Sequence, residues 1–95
     1  MIFYHGTTDI LSIGRYLLPA SETGRLREYW RKNNQDWVFA TTSLKSALGF
    51  AYKACAVYGG NPVVYRVKPI GLYSRTGGVE YIMRKALIEQ EVTFT

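Results

Sequence analysis

Trp37-Val38-Phe39-Ala40-Thr41-Thr42-Ser43-Leu44-Lys45-Ser46-Ala47-Leu48 places two kinds of structure end to end. Trp37 to Thr41 are mostly aromatic or β-branched and read as a strand. Thr42 and Ser43 follow as candidate N-caps, because a hydroxyl oxygen there can accept a hydrogen bond from an amide of the first helical turn. Beyond them Leu44, Ala47, Leu48, Ala51, Ala54 and Cys55 recur at helical spacing, so a helix is expected through about Tyr58. Gly59-Gly60 then stops it.

Towards the N-terminus, residues 1–4 are apolar and aromatic and suit a buried strand, which Gly6 is expected to end. Asp9 to Ile13 reads as a short helical turn broken by Gly14, and Tyr16 to Pro19 as extended. Residues 21–33 are expected to form a second helix, capped by Ser21 or Thr23, with Leu26, Tyr29 and Trp30 as its apolar stripe and Arg25, Arg27, Arg31 and Lys32 on a solvated face. Towards the C-terminus, Pro62 to Val67 reads as a strand with Val64 and Arg66 on one side. Turns are expected at Pro69-Ile70-Gly71 and Thr76-Gly77-Gly78. Val79 to Met83 and Leu87 to Phe94 complete the strands, with a slip in the alternation near Gln90 that suggests a β-bulge. Helices early and strands late indicate a single α+β domain over residues 1–95 with two main helices.

The chain has 95 residues and is 47% hydrophobic, enough for one domain with a core. A single cysteine, Cys55, excludes an intrachain disulfide and is expected to be a buried thiol. One histidine and one cysteine do not supply a metal site, so no metal is expected. No apolar run is long enough to span a bilayer, and no charged-then-apolar leader is visible, so a cytoplasmic, monomeric protein is expected. The net charge of +5 favours anionic partners: a nucleotide, a nucleic acid or an acidic protein face.

Three places carry candidate chemistry. His5, the only histidine, stands in Phe3-Tyr4-His5-Gly6-Thr7. Gly6 beside it leaves room for a ligand to approach the backbone, whose N–H and C=O match the two halves of a carboxamide. Phe39 and Phe50 offer two ring faces on either side of the strand-to-helix junction. Glu80 brings a carboxylate into the strand Val79-Glu80-Tyr81-Ile82-Met83.

His-Gly-Thr, then an aromatic strand and helix, then a late Glu-Tyr-Ile, resembles the H-Y-E ADP-ribosyltransferases, both diphtheria-toxin-like and poly(ADP-ribose) polymerase-like. The first half is also similar to the rifamycin-modifying transferases, which share Phe-Tyr-His-Gly-Thr, an Ile-Gly-x-x-Leu-x-Pro segment like Ile13 to Pro19, and a Val-x-Pro-x-Gly run like Val67 to Gly71. The resemblance implies an ADP-ribosyltransferase-like domain with a split β-sheet core, and NAD⁺ as co-substrate in a cleft between the sheet halves. His5 would meet the adenine-side ribose and Gly6 would hold the nicotinamide amide, with Thr7 completing the NAD⁺-binding motif, and Glu80 with His5 would form the catalytic pair.

In the diphtheria-toxin-like register Phe39 and Phe50 take the two tyrosine positions that sandwich nicotinamide. In the polymerase-like register Val38 takes the first of them and Ser46 the serine that bonds the amide. Phe39 is favoured, because valine cannot stack. Residues 20–35 would form a lid, with Arg25 or Arg27 meeting the diphosphate. Where arginine-specific relatives carry a second Glu or Gln, Gly78 stands here, which argues against arginine as acceptor. Leu72 to Thr76 contains no acid where the rifamycin-modifying enzymes have theirs, which argues against that substrate. The implied function is mono-ADP-ribosylation of a macromolecular acceptor, protein rather than nucleic acid, as a toxin or effector acting without a membrane. The alternatives are an NAD⁺ glycohydrolase and a degenerate transferase fold serving as a basic RNA- or protein-binding module.

Overall fold

A computed structural model describes residues 1–11, 14–19 and 37–93. The expected second helix, its Arg25 and the lid over residues 20–35 lie outside the described residues, as do Ser12, Ile13 and Phe94.

The described chain forms one helix and seven strands: β1 (Phe3–Thr8), β2 (Tyr16–Leu17), β3 (Val38–Thr41), α1 (Leu44–Tyr58), β4 (Pro62–Pro69), β5 (Tyr73–Gly77), β6 (Glu80–Met83) and β7 (Ala86–Val92). All pairings are antiparallel, in the order β2-β7-β4-β1-β3-β6-β5. This is an α+β architecture.

The connection from β6 to β7 determines the sheet's shape. Only Arg84 and Lys85 separate Met83 from Ala86, a reach of about 10 Å. Yet β3, β1 and β4 stand between the two strands in the sheet order. Four spacings of about 4.8 Å would hold them roughly 19 Å apart if the sheet were flat. The sheet therefore folds over on itself. The crease lies between β1 and β3, whose ladder has one registered pair, Tyr4 with Thr41. On either side the ladders are longer, from Phe3–Val67 to Thr8–Pro62 in β1–β4 and from Val38–Met83 to Thr41–Glu80 in β3–β6.

Strand alternation sorts the side chains accordingly. Phe3, Leu17 and Val67 of one half meet Val38, Ala40 and Met83 of the other in a single buried cluster with Ala86. The space between the halves is thus the core at these positions, not the cleft the resemblance implies. The opposite face of β1 and β4 carries α1, through Ala47, Ala51 and Val64, with Tyr4, Leu48 and Val92 packed around them.

The helix follows the sequence reading closely. The Ser46 amide donates to the Ser43 Oγ at 3.1 Å, and Gly59, at φ 88°, closes the C-terminus by donating its N–H to the Cys55 carbonyl at 2.7 Å. Cys55 itself is half-buried rather than a core thiol.

Gly6 does not end β1, which runs on to Thr8. A Cβ at Gly6 would lie 1.8 Å from the Ala47 carbonyl oxygen. Its missing side chain lets the backbone of α1 approach the strand, so the space it leaves is filled by protein rather than by a ligand.

Two irregularities tune the strands. The register shifts between Arg66, opposite Gln90, and Val67, opposite Ile88, leaving Glu89 as the extra residue. This is the bulge expected near Gln90. A second shift leaves Thr76 extra between Arg75–Tyr81 and Gly77–Glu80. The turn consequently falls at Gly78 and Val79, with Gly78 at φ 53°, and Thr76 and Gly77 belong to β5.

Candidate functional site

The crease brings together residues that are far apart in the chain. In β1, His5 turns its ring toward β3, and Nδ1 lies 2.7 Å from the Phe39 carbonyl oxygen. A carbonyl only accepts, so the Nδ1 that faces it carries a proton. The ring bridges the two strands just beyond their one ladder pair. His5 and Phe39 are both half-buried.

Glu80 opens β6 directly opposite Thr41, and Phe39 lies opposite Ile82. Directly opposed residues share a face, as do residues two apart, so Phe39, Thr41, Glu80 and Ile82 project from one side of the β3–β6 pair. Val38 projects from the other side and is buried in the core at 4% exposure. Of the two register candidates, Phe39 is the one that shares a face with Glu80.

The backbone at Glu80 is held from several directions. The Thr42 amide donates to the Val79 carbonyl at 3.0 Å, tying the turn before Glu80 to the end of β3. The bulged Thr76 places its hydroxyl 3.2 Å from the Glu80 carbonyl oxygen and 3.5 Å from Oε1. Thr41 is fully buried beneath this corner and accepts the Ser43 amide at 3.1 Å.

The helix supplies the facing wall. Leu48 packs against the cluster of Ala47, Ala51 and Val64. At 100° per residue, Ser46 and Phe50 fall on the opposite flank, towards β3. Both are half-buried. Lys53 is one turn on, with its Nζ 5.5 Å from the centre of the Phe50 ring. Phe39 and Glu80 project from the outer face of the sheet, and Ser46 and Phe50 lie on the flank of α1 that faces this region. His5 reaches its edge from the inner face, through the crease.

Thr7 does not border this region. It is 5% exposed and lies on the core side of β1. Gly6 contributes main chain alone, beneath Ala47. Thr76 and Lys53 escaped the sequence reading. Lys53 carried a signal, the three-residue spacing from Phe50, whereas Thr76 depends on a bulge that no local pattern announces. A groove lined by Met1, Ile2, Arg66, Lys68 and Glu89 lies along β1, β4 and β7 and contains none of these residues.

No protein-family model matches this sequence, and neither does any curated protein. Among the described residues, no helix is long and apolar enough to cross a membrane.

Proposed function

We propose that this chain is an NAD⁺-dependent mono-ADP-ribosyltransferase acting on a macromolecular acceptor, protein in preference to nucleic acid. One observation carries the reading. His5, Phe39 and Glu80, three separate stretches of sequence, occupy neighbouring strands, with the His5 ring hydrogen-bonded to Phe39 and Glu80 sharing the Phe39 face.

In this reading NAD⁺ binds along the outer face of β3 and β6, under α1. Nicotinamide stacks between Phe39 and Phe50; stacking requires the ring face and not a tyrosine hydroxyl. Ser46 bonds the carboxamide, and His5 meets the adenine-side ribose. Lys53, already beside Phe50, adds positive charge for the diphosphate, the role the sequence reading assigns to Arg25.

The bond from ribose C1′ to the nicotinamide nitrogen breaks, and nicotinamide leaves with the electron pair. The ribosyl group becomes oxocarbenium-like, as in glycoside cleavage. The Glu80 carboxylate, hydrogen-bonded to a ribose hydroxyl, stabilises that developing positive charge more than it stabilises intact NAD⁺. The acceptor nucleophile then bonds to C1′ and loses its proton. The Thr76 hydroxyl, 3.5 Å from Oε1, stands beside the carboxylate as a weak partner.

The test is incubation with NAD⁺ labelled in the adenylate moiety, with and without a cell lysate, followed by separate protease and nuclease digestion. Label that becomes protease-sensitive on macromolecules supports the reading. Intact NAD⁺ under all conditions contradicts it, and free ADP-ribose alone replaces transfer with hydrolysis.

A further inference from the structure

The groove along β1, β4 and β7 has no part in the NAD⁺ reading. Helix α1 packs on this face of the sheet at Val64, with Tyr4 beside it. Tyr4 pairs with Arg66 and Phe3 with Val67, so beyond α1 the same face continues through Arg66 and Lys68 of β4, with Ile2 directly before β1. The groove has a volume of about 310 Å³, and Met1, Ile2 and Pro69 form its apolar walls. Met1 is 78% and Ile2 52% exposed, so apolar surface stays in water beside charged side chains.

Three charged side chains line the same groove: Arg66, Lys68 and Glu89. Arg66 and Lys68 are two residues apart on one strand and project the same way. Glu89 reaches this face through the bulge in β7, because Gln90 already stands opposite Arg66 and Glu89 is the extra residue. The Arg66 Nε lies 3.4 Å from the Glu89 Oε1 without a hydrogen bond. A contact so loose and so exposed adds little stability. The bulge thus sets an acid beside Arg66 for little gain in folding. Lys68 is exposed, and no acid of the described residues pairs with it.

Two cations against one carboxylate leave one positive charge unmatched between apolar walls. A single carboxylate flanked by apolar side chains complements that arrangement. A polyanion such as nucleic acid, or an acidic bilayer, meets the repulsion of Glu89. The groove follows β4 from Arg66 to Pro69, about 10 Å of strand. An extended peptide of five residues covers a similar length, about 13 Å, and turns every second side chain to the same side.

We infer that this groove docks an extended segment of a partner protein in which one carboxylate stands between two apolar side chains at alternate positions. The carboxylate meets Lys68 and the exposed head of Arg66, and the apolar side chains lie against Ile2, Met1 and Pro69. Glu89 limits the site to one negative charge. The site is independent of NAD⁺ and of Glu80.

The experiment is a titration of the isotope-labelled chain with the end-blocked peptide Gly-Leu-Ser-Glu-Ser-Leu-Gly, without NAD⁺, followed by amide NMR shifts. The comparison peptide Gly-Leu-Glu-Ser-Ser-Leu-Gly has the same composition but turns its carboxylate to the side opposite its leucines. The expected result is saturable shifts at Ile2, Lys68 and Glu89, with clearly weaker binding of the comparison peptide. Lys68→Gln and Ile2→Ser should each weaken binding by about two- to fivefold. Glu89→Gln should tighten it by about twofold or more, because it removes the like charge, a sign that a merely structural pair with Arg66 would not produce. Lys45→Gln, on the exposed start of α1, should have no effect. Thermal melts check that each variant folds, and Lys68→Gln with the comparison peptide serves if Ile2→Ser does not. No shifts in the groove at millimolar peptide, equal binding of the comparison peptide or of hexanoate, or a Lys68→Gln variant that binds like wild type would each overturn the inference. So would shifts at the same residues on raising the chain's own concentration without peptide, which would make the occupant a second copy.

Discussion

The His5 Nδ1 lies 2.7 Å from the Phe39 carbonyl oxygen, across the one place where the sheet's ladder reduces to a single residue pair. A side chain thus does the work of a backbone bond at the crease, and the ring's orientation is set by the strand that carries Phe39. If His5 holds the adenine-side ribose, it is remote from the bond that breaks. His5→Ala should therefore raise the KM for NAD⁺ more than it lowers kcat. Steady-state kinetics with a melting curve in parallel checks this, and an unchanged KM in a folded variant removes His5 from the pocket.

Phe39 and Val38 make a paired test, because they project from opposite faces of β3. Phe39→Tyr should be tolerated, since its ring is half-buried on the face of Glu80, while Phe39→Ala should cost about 1–3 kcal/mol in NAD⁺ affinity through lost stacking and packing. Val38→Thr places a hydroxyl in the core cluster and should lower Tm with less effect on affinity. The reverse pattern, with Phe39→Tyr destabilising and Val38 alone governing affinity, would show that the polymerase-like register applies.

Gly6→Ala should destabilise the domain by about 1–3 kcal/mol or more, because its methyl group collides with the main chain of α1 at Ala47 and no flexible side chain is there to move aside. Denaturant unfolding measures it. A loss of NAD⁺ binding at undiminished stability would instead make Gly6 a ligand contact.

These cases show what was legible in the sequence. Helix α1 could be read because every signal was local: Ser43 at the cap, Ala47 and Ala51 on the buried face, Gly59 at the stop. The Glu89 bulge was legible as a break in alternation. Gly6 was misread because a glycine that ends a strand and one that admits a neighbouring helix look alike until the packing partner is known. The turn expected at residues 76–78 moved by a residue because of the Thr76 bulge. The juxtaposition of His5, Phe39 and Glu80 depends on pairing between strands that are distant in sequence, which residue patterns do not encode.

Acid should loosen the connection between β1 and β4. The Asn61 backbone N–H and, secondarily, its side-chain amide hold the exposed Asp9 carboxyl below the usual carboxylate range, at 2.8 and 3.2 Å. A carboxyl depressed in the folded state adds stability above its unfolded value, near pH 4, and that contribution disappears as pH falls through the folded value. The Tm of wild type should therefore fall towards that of Asp9→Ala as the pH is lowered below about 4. A Tm difference that stays constant over that range contradicts the assignment.

The most direct test of the central claim is nicotinamide release by Glu80→Gln. The substitution preserves shape and removes the charge required at the ribosyl cation. The variant should melt like wild type, bind NAD⁺ comparably, and release nicotinamide ~10²–10³-fold more slowly or not at all. A folded Glu80→Gln protein that turns over NAD⁺ at the wild-type rate would show that Glu80 is a surface carboxylate on β6 and that the proposed chemistry is wrong.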